Sequence, residues 1–515
     1  MEDILQRQSE AAAKGMSHSL WAEVHGDKIA VFDPLGTRSF KEINAAANRI
    51  VRLLRERGLK EGDAVALLCS NRAEFVEVLA ACRRGGYRLT PVNWHLSVDE
   101  AEYIINDCDA KALFAETRYA AATESKTPHV TLKVSIGDDA EGFEPYARLL
   151  ADFDGSDILD PTPGSQMLYT SGTTGRPKGV YRRNTAAGGM MMNVALPDDV
   201  QLCAGPAYHA APLAFDVGAS IAMGIPLVFI DRWDSEGVLR VIQEHKVTRA
   251  HLVPIMFQRL LNLPEDVRKK YDVSSLRYII HGAAPCPPEV KKAMIDWVGP
   301  IINEYYAGSE GGAGFVVSSE EWLRKPGTVG KLPDPSALKI LDDEGRDVKQ
   351  GESGTLYFKV SPIAPFEYYK DPAKTAAAHR GDFFTLGDVG YLDEDGYLFL
   401  TGRTAECIIS GGVNIYPQEI DNELIKHPAV EDACTIGVPN EEWGEEVKSV
   451  LTLNPGYAGT PELAADITKF AREHLAGFKV PRSIEFVDEL PRSPAGKIQR
   501  KKVRDPYWAG RARQI

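Results

Sequence analysis

The chain has 515 residues, of which 44% are hydrophobic and 26% charged, and a formal net charge of −14. This composition suits a globular protein with a large core and excludes a disordered chain. The acidic balance excludes broad nucleic-acid binding, which needs basic surface to displace counterions, and electrostatic docking on anionic membranes.

The first fifteen residues, MEDILQRQSEAAAKG, carry acids early and no apolar core, so they do not read as a signal peptide. Residues 40–58 place apolar side chains at helical spacing and end in Gly58. DAVALLC (63–69) reads as a buried strand, AEFVEVLAACRRGG (73–86) as a helix closed by glycines, and 101–115 as helix then strand. Such alternation predicts a wound α/β sheet. GASIAMGIPLVFI (218–230) is too short to span a bilayer and reads as buried helix, turn and strand, so no transmembrane segment is expected.

The alternation continues from 200 to 310. From 327 to 400, short β runs are separated by DDEGRD, GESG and DEDG, which predicts a small β-rich subdomain with tight turns. After Gly402 the pattern becomes compact α+β. The expected fold class is therefore α/β. A large N-terminal domain (1–402) holds wound α/β subdomains and the β-rich subdomain, and a small α+β domain (403–515) follows. Seven scattered cysteines, an odd number with no C-x-x-C, predict a reduced, cytoplasmic setting.

Five stretches stand out chemically. The first is YTSGTTGRPKGV (169–180). Its hydroxyls and glycine N–H groups, from Thr170, Ser171, Gly172, Thr173, Thr174 and Gly175, suit phosphate oxygens, and Lys178 adds a positive charge. It is not the common phosphate loop, because Arg176 and Pro177 separate Gly175 from the lysine. A plain surface turn is the alternative. HGAAPCPP (281–288) sets the small residues Gly282, Ala283 and Ala284 in a turn after a strand. EYYAGSEGG (304–312) carries Glu310, a hard oxygen ligand suited to Mg2+. LGDVGYLDEDGYLFLTGR (386–403) offers Asp388, able to accept two hydroxyls, and Arg403. ELPRSPAGKIQRKKVR (489–504) is a basic run in which Lys497 follows a P-x-x-x-x-G frame.

These motifs, in this order, resemble those of the acyl-adenylate-forming superfamily, which includes acyl- and aryl-CoA synthetases, peptide-synthetase adenylation domains and beetle luciferases. The resemblance implies joining of a carboxylate to ATP to give acyl-AMP and pyrophosphate, with a mobile C-terminal domain. It implies that the 169–180 loop holds the β- and γ-phosphates. It implies that Gly282, Ala283, Ala284, Glu304, Tyr305 and Tyr306 form the AMP site, with Tyr306 against adenine. Ser309 would contact phosphate, Glu310 ligate Mg2+, and Asp388 and Arg403 hold ribose or phosphate oxygens. Lys497 would bridge carboxylate and α-phosphate. The same frame resembles the acetylation site of bacterial acyl-CoA synthetases, so a lysine acetyltransferase acting on Lys497 joins the expected partners, as does a homodimer.

ISGGVNIYPQEID (409–421) resembles the pantetheine-tunnel loop, which assigns Ser410, Gly411 and Gly412 to thiol access. GPAYHAAPLAF (205–215) is similar to the start of the acyl pocket, with His209 as its gate. Small residues in GGAGFVV, behind Glu310, suggest a long or bulky hydrophobic acid. The pattern is most similar to bacterial fatty-acyl and bile-acid-type acyl-CoA synthetases, with ATP, Mg2+ and coenzyme A as cofactors and co-substrate. The departures are Ala307 for Gly, Ser309 for Thr, Leu386 for Thr, and Ala405 for the usual Asp or Lys at the domain hinge. A stand-alone adenylation enzyme that loads a carrier protein is the main alternative. Nothing favours a luciferase-like oxygenase, and a non-catalytic nucleotide binder would be expected to lack Lys497 or Glu310.

Overall fold

The computed structural model describes residues 2–123, 127–170, 177–182, 196, 198–361, 365–411, 413–494 and 496–509. Two eight-stranded sheets dominate. In the first, six parallel strands are ordered Ile302–Gly308, Tyr278–His281, Arg249–Leu252, Gln201–Cys203, Leu227–Phe229 and Ile29–Asp33. Antiparallel strands Gly311–Val317 and Gly36–Ser39 close its two edges. The second sheet is built on parallel strands between Ala64–Leu68 and Ser165–Thr170.

The helices Phe40–Glu56 and Ala73–Gly85 lie between the sheets. One apolar cluster joins their buried faces to Val31, Cys203 and Leu227 of the first sheet and to Val65, Leu67 and Phe114 of the second. Each fully buried Leu or Phe side chain there contributes about 1.5–3 kcal/mol. The helix Phe40–Glu56 starts where it does because Ser39 and Glu42 form a reciprocal capping box, worth about 1 kcal/mol.

The expected β-rich subdomain is present as a five-stranded antiparallel sheet from Leu338–Leu341 to Leu398–Arg403. One strand departs from it. Phe366–Tyr368 leaves this sheet and pairs with Lys178–Arg182 at the edge of the second large sheet, Tyr368 opposite Val180. A fourth sheet, from Ile408–Ser410 to Ser483–Phe486, carries the helices Pro417–Leu424 and Pro461–His474 over its own apolar cluster.

The 218–230 stretch folds as read: a π-helical turn Leu213–Gly218, helix Ala219–Met223, a left-handed Gly224 (φ 66°) and strand Leu227–Phe229. No helix among the described residues is long and apolar enough to cross a membrane. The seven cysteines are all free thiols.

Candidate active site

Strand register assembles most of the site. Thr170 and Lys178 face each other across the hairpin that flanks the Gly/Ser/Thr loop. Ser171, Gly172, Thr173, Thr174 and Gly175 lie outside the described residues, as does Gly412. Lys178 Nζ pairs with Asp371 at 3.2 Å. Asp371 is within reach because Phe366–Tyr368 pairs beside the lysine's strand. The Tyr368 hydroxyl donates to Glu310 Oε1 at 2.9 Å, and Arg182 Nη2 donates to the Ser309 carbonyl at 2.9 Å.

Asp388 and Arg403 are direct cross-strand neighbours. Arg403 Nε donates to Asp388 Oδ1 at 2.7 Å, and the Tyr306 hydroxyl donates to Oδ2 at 2.6 Å. The buried carboxylate keeps further lone pairs, because an ionised carboxylate has about four acceptor positions. Burial first, then Asp388, pushes the Tyr306 phenol well up, so it stays a neutral donor.

The loop after strand Tyr278–His281 is tight. A Cβ on Gly282 would stand 2.5 Å from the Tyr305 carbonyl oxygen, so only glycine fits. Ala283 adopts φ 66°, a left-handed conformation rare for a side-chain-bearing residue. Such strain is held in place by its surroundings and clusters at ligand sites. Ala283 lines a small cavity of about 20 Å3 with His209, His251, Val253, Met256 and Pro494. Burial, then the Lys497 charge, pushes the His209 imidazole down to about 4, so it is neutral at pH 7.

Lys497 closes a turn in which the Ser493 N–H donates to the Lys497 carbonyl at 2.7 Å and the Gly496 N–H to Ser493 at 2.8 Å. Gly496 has φ 82°, and a Cβ there would meet Ile255 at 2.8 Å, so the turn packs directly on the first large sheet's strand-to-helix junction. The Lys497 side chain stays open to solvent while walled by protein. Burial of its surroundings, then Arg403, pushes the ammonium down to about 8, with Asp388, Glu310 and Glu406 acting in the other direction. Lys497 thus lies near enough to Arg403, Asp388, Glu310 and His209 for their charges to act on one another.

Two sequence expectations need correction. The Glu304 carboxylate does not face a nucleotide: its Oε2 pairs with Lys291 at 2.7 Å inside the protein, beside His281. Tyr305 is likewise internal, its ring 4.4 Å from Phe215 and its hydroxyl 3.3 Å from His251 Nε2. The Tyr305 carbonyl packs closely on Gly282. The Ser410–Gly411 tip, to which thiol access falls only once the small domain has turned, is a separate case. It sits on an edge hairpin of the fourth sheet, where the Gly411 N–H donates to the Trp443 carbonyl at 2.8 Å. Sequence reading did not name Tyr368, Asp371 or Arg182, which bond Glu310, Lys178 and Ser309.

Among the described residues no group of three His, Cys, Asp or Glu side chains could hold a metal. A cation at Glu310 would therefore take its other ligands from phosphates and water, which is how Mg2+ is commonly bound.

The large α/β body, the small domain after it and the Asp388–Arg403 pair are set beside known proteins. Residues 19–365 match the AMP-binding enzyme model, and 419–497 match the AMP-binding enzyme C-terminal domain. The chain therefore belongs to the AMP-binding enzyme family, the acyl-adenylate-forming superfamily, and is an AMP-forming ligase. It is 31% identical to a fatty acid–[acyl-carrier-protein] ligase, ScoC, of Streptomyces coeruleorubidus, over 93% of each chain. It is 33% identical to a 2-succinylbenzoate–CoA ligase of Geobacillus kaustophilus, over 93% of this chain and 95% of that one. The anthranilate CoA ligase AuaEII, solved with anthranoyl-AMP, superposes with a TM-score of 0.86 at 25% identity, covering 96% of this chain and 97% of that one.

Proposed function

We propose that the protein activates a hydrophobic carboxylic acid with Mg-ATP and transfers the acyl group to coenzyme A. The observation that carries this reading is the delivery of Lys497 to the Asp388–Arg403 pair, Glu310 and His209. An acid carboxylate oxygen attacks the α-phosphorus while the bond to the β-phosphate oxygen breaks, and pyrophosphate leaves with the electron pair. Negative charge gathers on the oxygens around phosphorus, and the Lys497 ammonium offsets it there. Asp388 holds the ribose hydroxyls. Glu310 would hold Mg2+, which supplies charge neutralisation on the phosphates. His209 is neutral and does not act as the base, since the acid arrives ionised. It packs as a gate at the acyl cavity.

In this reading the small domain begins at residue 403, and Ala405 lies in the short turn Thr404–Glu406 that follows. Rotation there would withdraw Lys497 and bring the Ser410–Gly411 hairpin to the acyl-adenylate for thiol attack. A carrier protein as acceptor is the second reading, favoured by the likeness to ScoC.

Asp388→Asn is expected to raise the KM for ATP about tenfold, because charge-assisted hydrogen bonds are worth about 1.5–3 kcal/mol. Steady-state kinetics with the acid held saturating checks this, and an unchanged KM would place the ribose elsewhere. The acid class is tested with a panel of acetate, medium and long fatty acids, benzoates, cinnamates and steroid acids, each with and without CoA. One class should release AMP with turnover only when CoA is present. A single burst of pyrophosphate that CoA never converts to turnover would favour the carrier protein.

A further inference from the structure

The segment that follows the wandering strand Phe366–Tyr368 brings a second cation to Lys178. Lys374 begins the last part of the first turn of helix Pro372–Ala378, and its backbone N–H donates to Asp371 Oδ1 at 3.0 Å. The other Asp371 oxygen pairs with Lys178 at 3.2 Å. One carboxylate therefore ties both residues to the same spot. The Lys374 ammonium lies 4.3 Å over the ring of Tyr368, whose hydroxyl holds Glu310. Tyr368 thus carries this cation on its face and the Glu310 carboxylate at its hydroxyl.

Two ammonium groups side by side repel unless an anion joins them. Burial, then the adjacent Lys178 amine, pushes Lys374 down to about 8, in keeping with that crowding. Asp371 offsets only one of the two charges, and Glu310 is committed to the metal in the reading above. A polyanion is the ligand that satisfies such a pair.

We propose that Lys374 is a second polyphosphate-binding residue, acting with Lys178 on the β- and γ-phosphates of ATP and on the departing pyrophosphate. It rests on the adenylation reading and adds to it a cation outside the glycine-rich loop. Lys374 binds the leaving group rather than the reacting atoms. It stabilises pyrophosphate as the bond to the α-phosphorus breaks.

The test compares wild type with Lys374→Met, Lys374→Gln and Lys374→Arg. Binding of magnesium pyrophosphate is read by calorimetry, and inhibition by pyrophosphate is read in the acid-dependent reaction. Lys374→Met keeps the stem over Tyr368 and should weaken pyrophosphate binding about tenfold, with the KM for the acid unchanged, and Lys374→Arg should restore it. Thermal unfolding confirms that each variant is folded, and Lys374→Gln stands in if the methionine variant is not. Pyrophosphate binding equal to wild type in a folded Met or Gln variant overturns the proposal. So does an Arg variant as weak as the Met variant, which would mark a packing role. If wild type shows no acid-dependent exchange of pyrophosphate into ATP, the adenylation reading fails, while the calorimetric comparison still decides the role of Lys374.

Discussion

Lys497→Ala is expected to slow acyl-adenylate formation by about two to three orders of magnitude, the usual effect of removing one preorganised charge from a developing anion. Thioester formation from preformed acyl-adenylate should stay close to wild type, because that step is assigned to a rotated domain from which Lys497 has withdrawn. Rapid-quench measurement of each half-reaction separates the two. Equal losses in both would show that the lysine loop only holds the domains together. The same residue sets a pH limb. Its ammonium is held down to about 8 by burial and Arg403, and the charged form is the active one. The first half-reaction's kcat/KM should therefore fall as pH rises through about 8. In kcat the fall should come at higher pH, because bound ATP phosphates favour the ammonium. Lys374 titrates in the same range, so the profile is read in Lys374→Met, and adding Lys497→Arg should remove the limb.

Glu304→Ala is expected to destabilise the protein by about 3–5 kcal/mol, since it leaves a buried cation without its partner. Lys291 is fully buried, with its ammonium 2.7 Å from Glu304 Oε2 and 4.6 Å over the Trp322 ring. Burial pushes the Glu304 carboxyl up and the Lys291 ammonium down, and each group opposes the other's shift through the ion pair. Replacing both, as Glu304→Leu with Lys291→Met, should recover most of the loss, because apolar pairs of similar volume replace buried ion pairs at little cost. A guanidinium midpoint series reads the stability. The double variant should also keep the wild-type KM for ATP. A large rise would return Glu304 to the nucleotide site.

The motifs were legible because their chemistry is local. The 169–180 loop, Asp388, Arg403, Glu310 and Lys497 each announce themselves by residue type and neighbours. What sequence did not show depends on long-range register. Asp371 reaches Lys178 and Tyr368 reaches Glu310 because Phe366–Tyr368 quits its own subdomain for a distant sheet edge, which no local pattern marks. The burial of the Glu304 side chain was missed for a different reason. It opens the 304–312 motif, yet its partner lies on the preceding helix. A signal was present: Lys291 falls three and four residues before Met294 and Ile295, on the buried stripe of helix Pro288–Val298. A lysine on an apolar stripe asks for a buried carboxylate.

The most direct measurement is the identity of the ATP products during turnover with an accepted acid. Labelled ATP, the acid panel, CoA and magnesium are combined, quenched and resolved. Acid-dependent formation of AMP and pyrophosphate in equal amounts, with loss of both in Lys497→Ala, is the predicted result. Formation of ADP and orthophosphate, or AMP release that ignores the acid, would contradict carboxylate activation at this site.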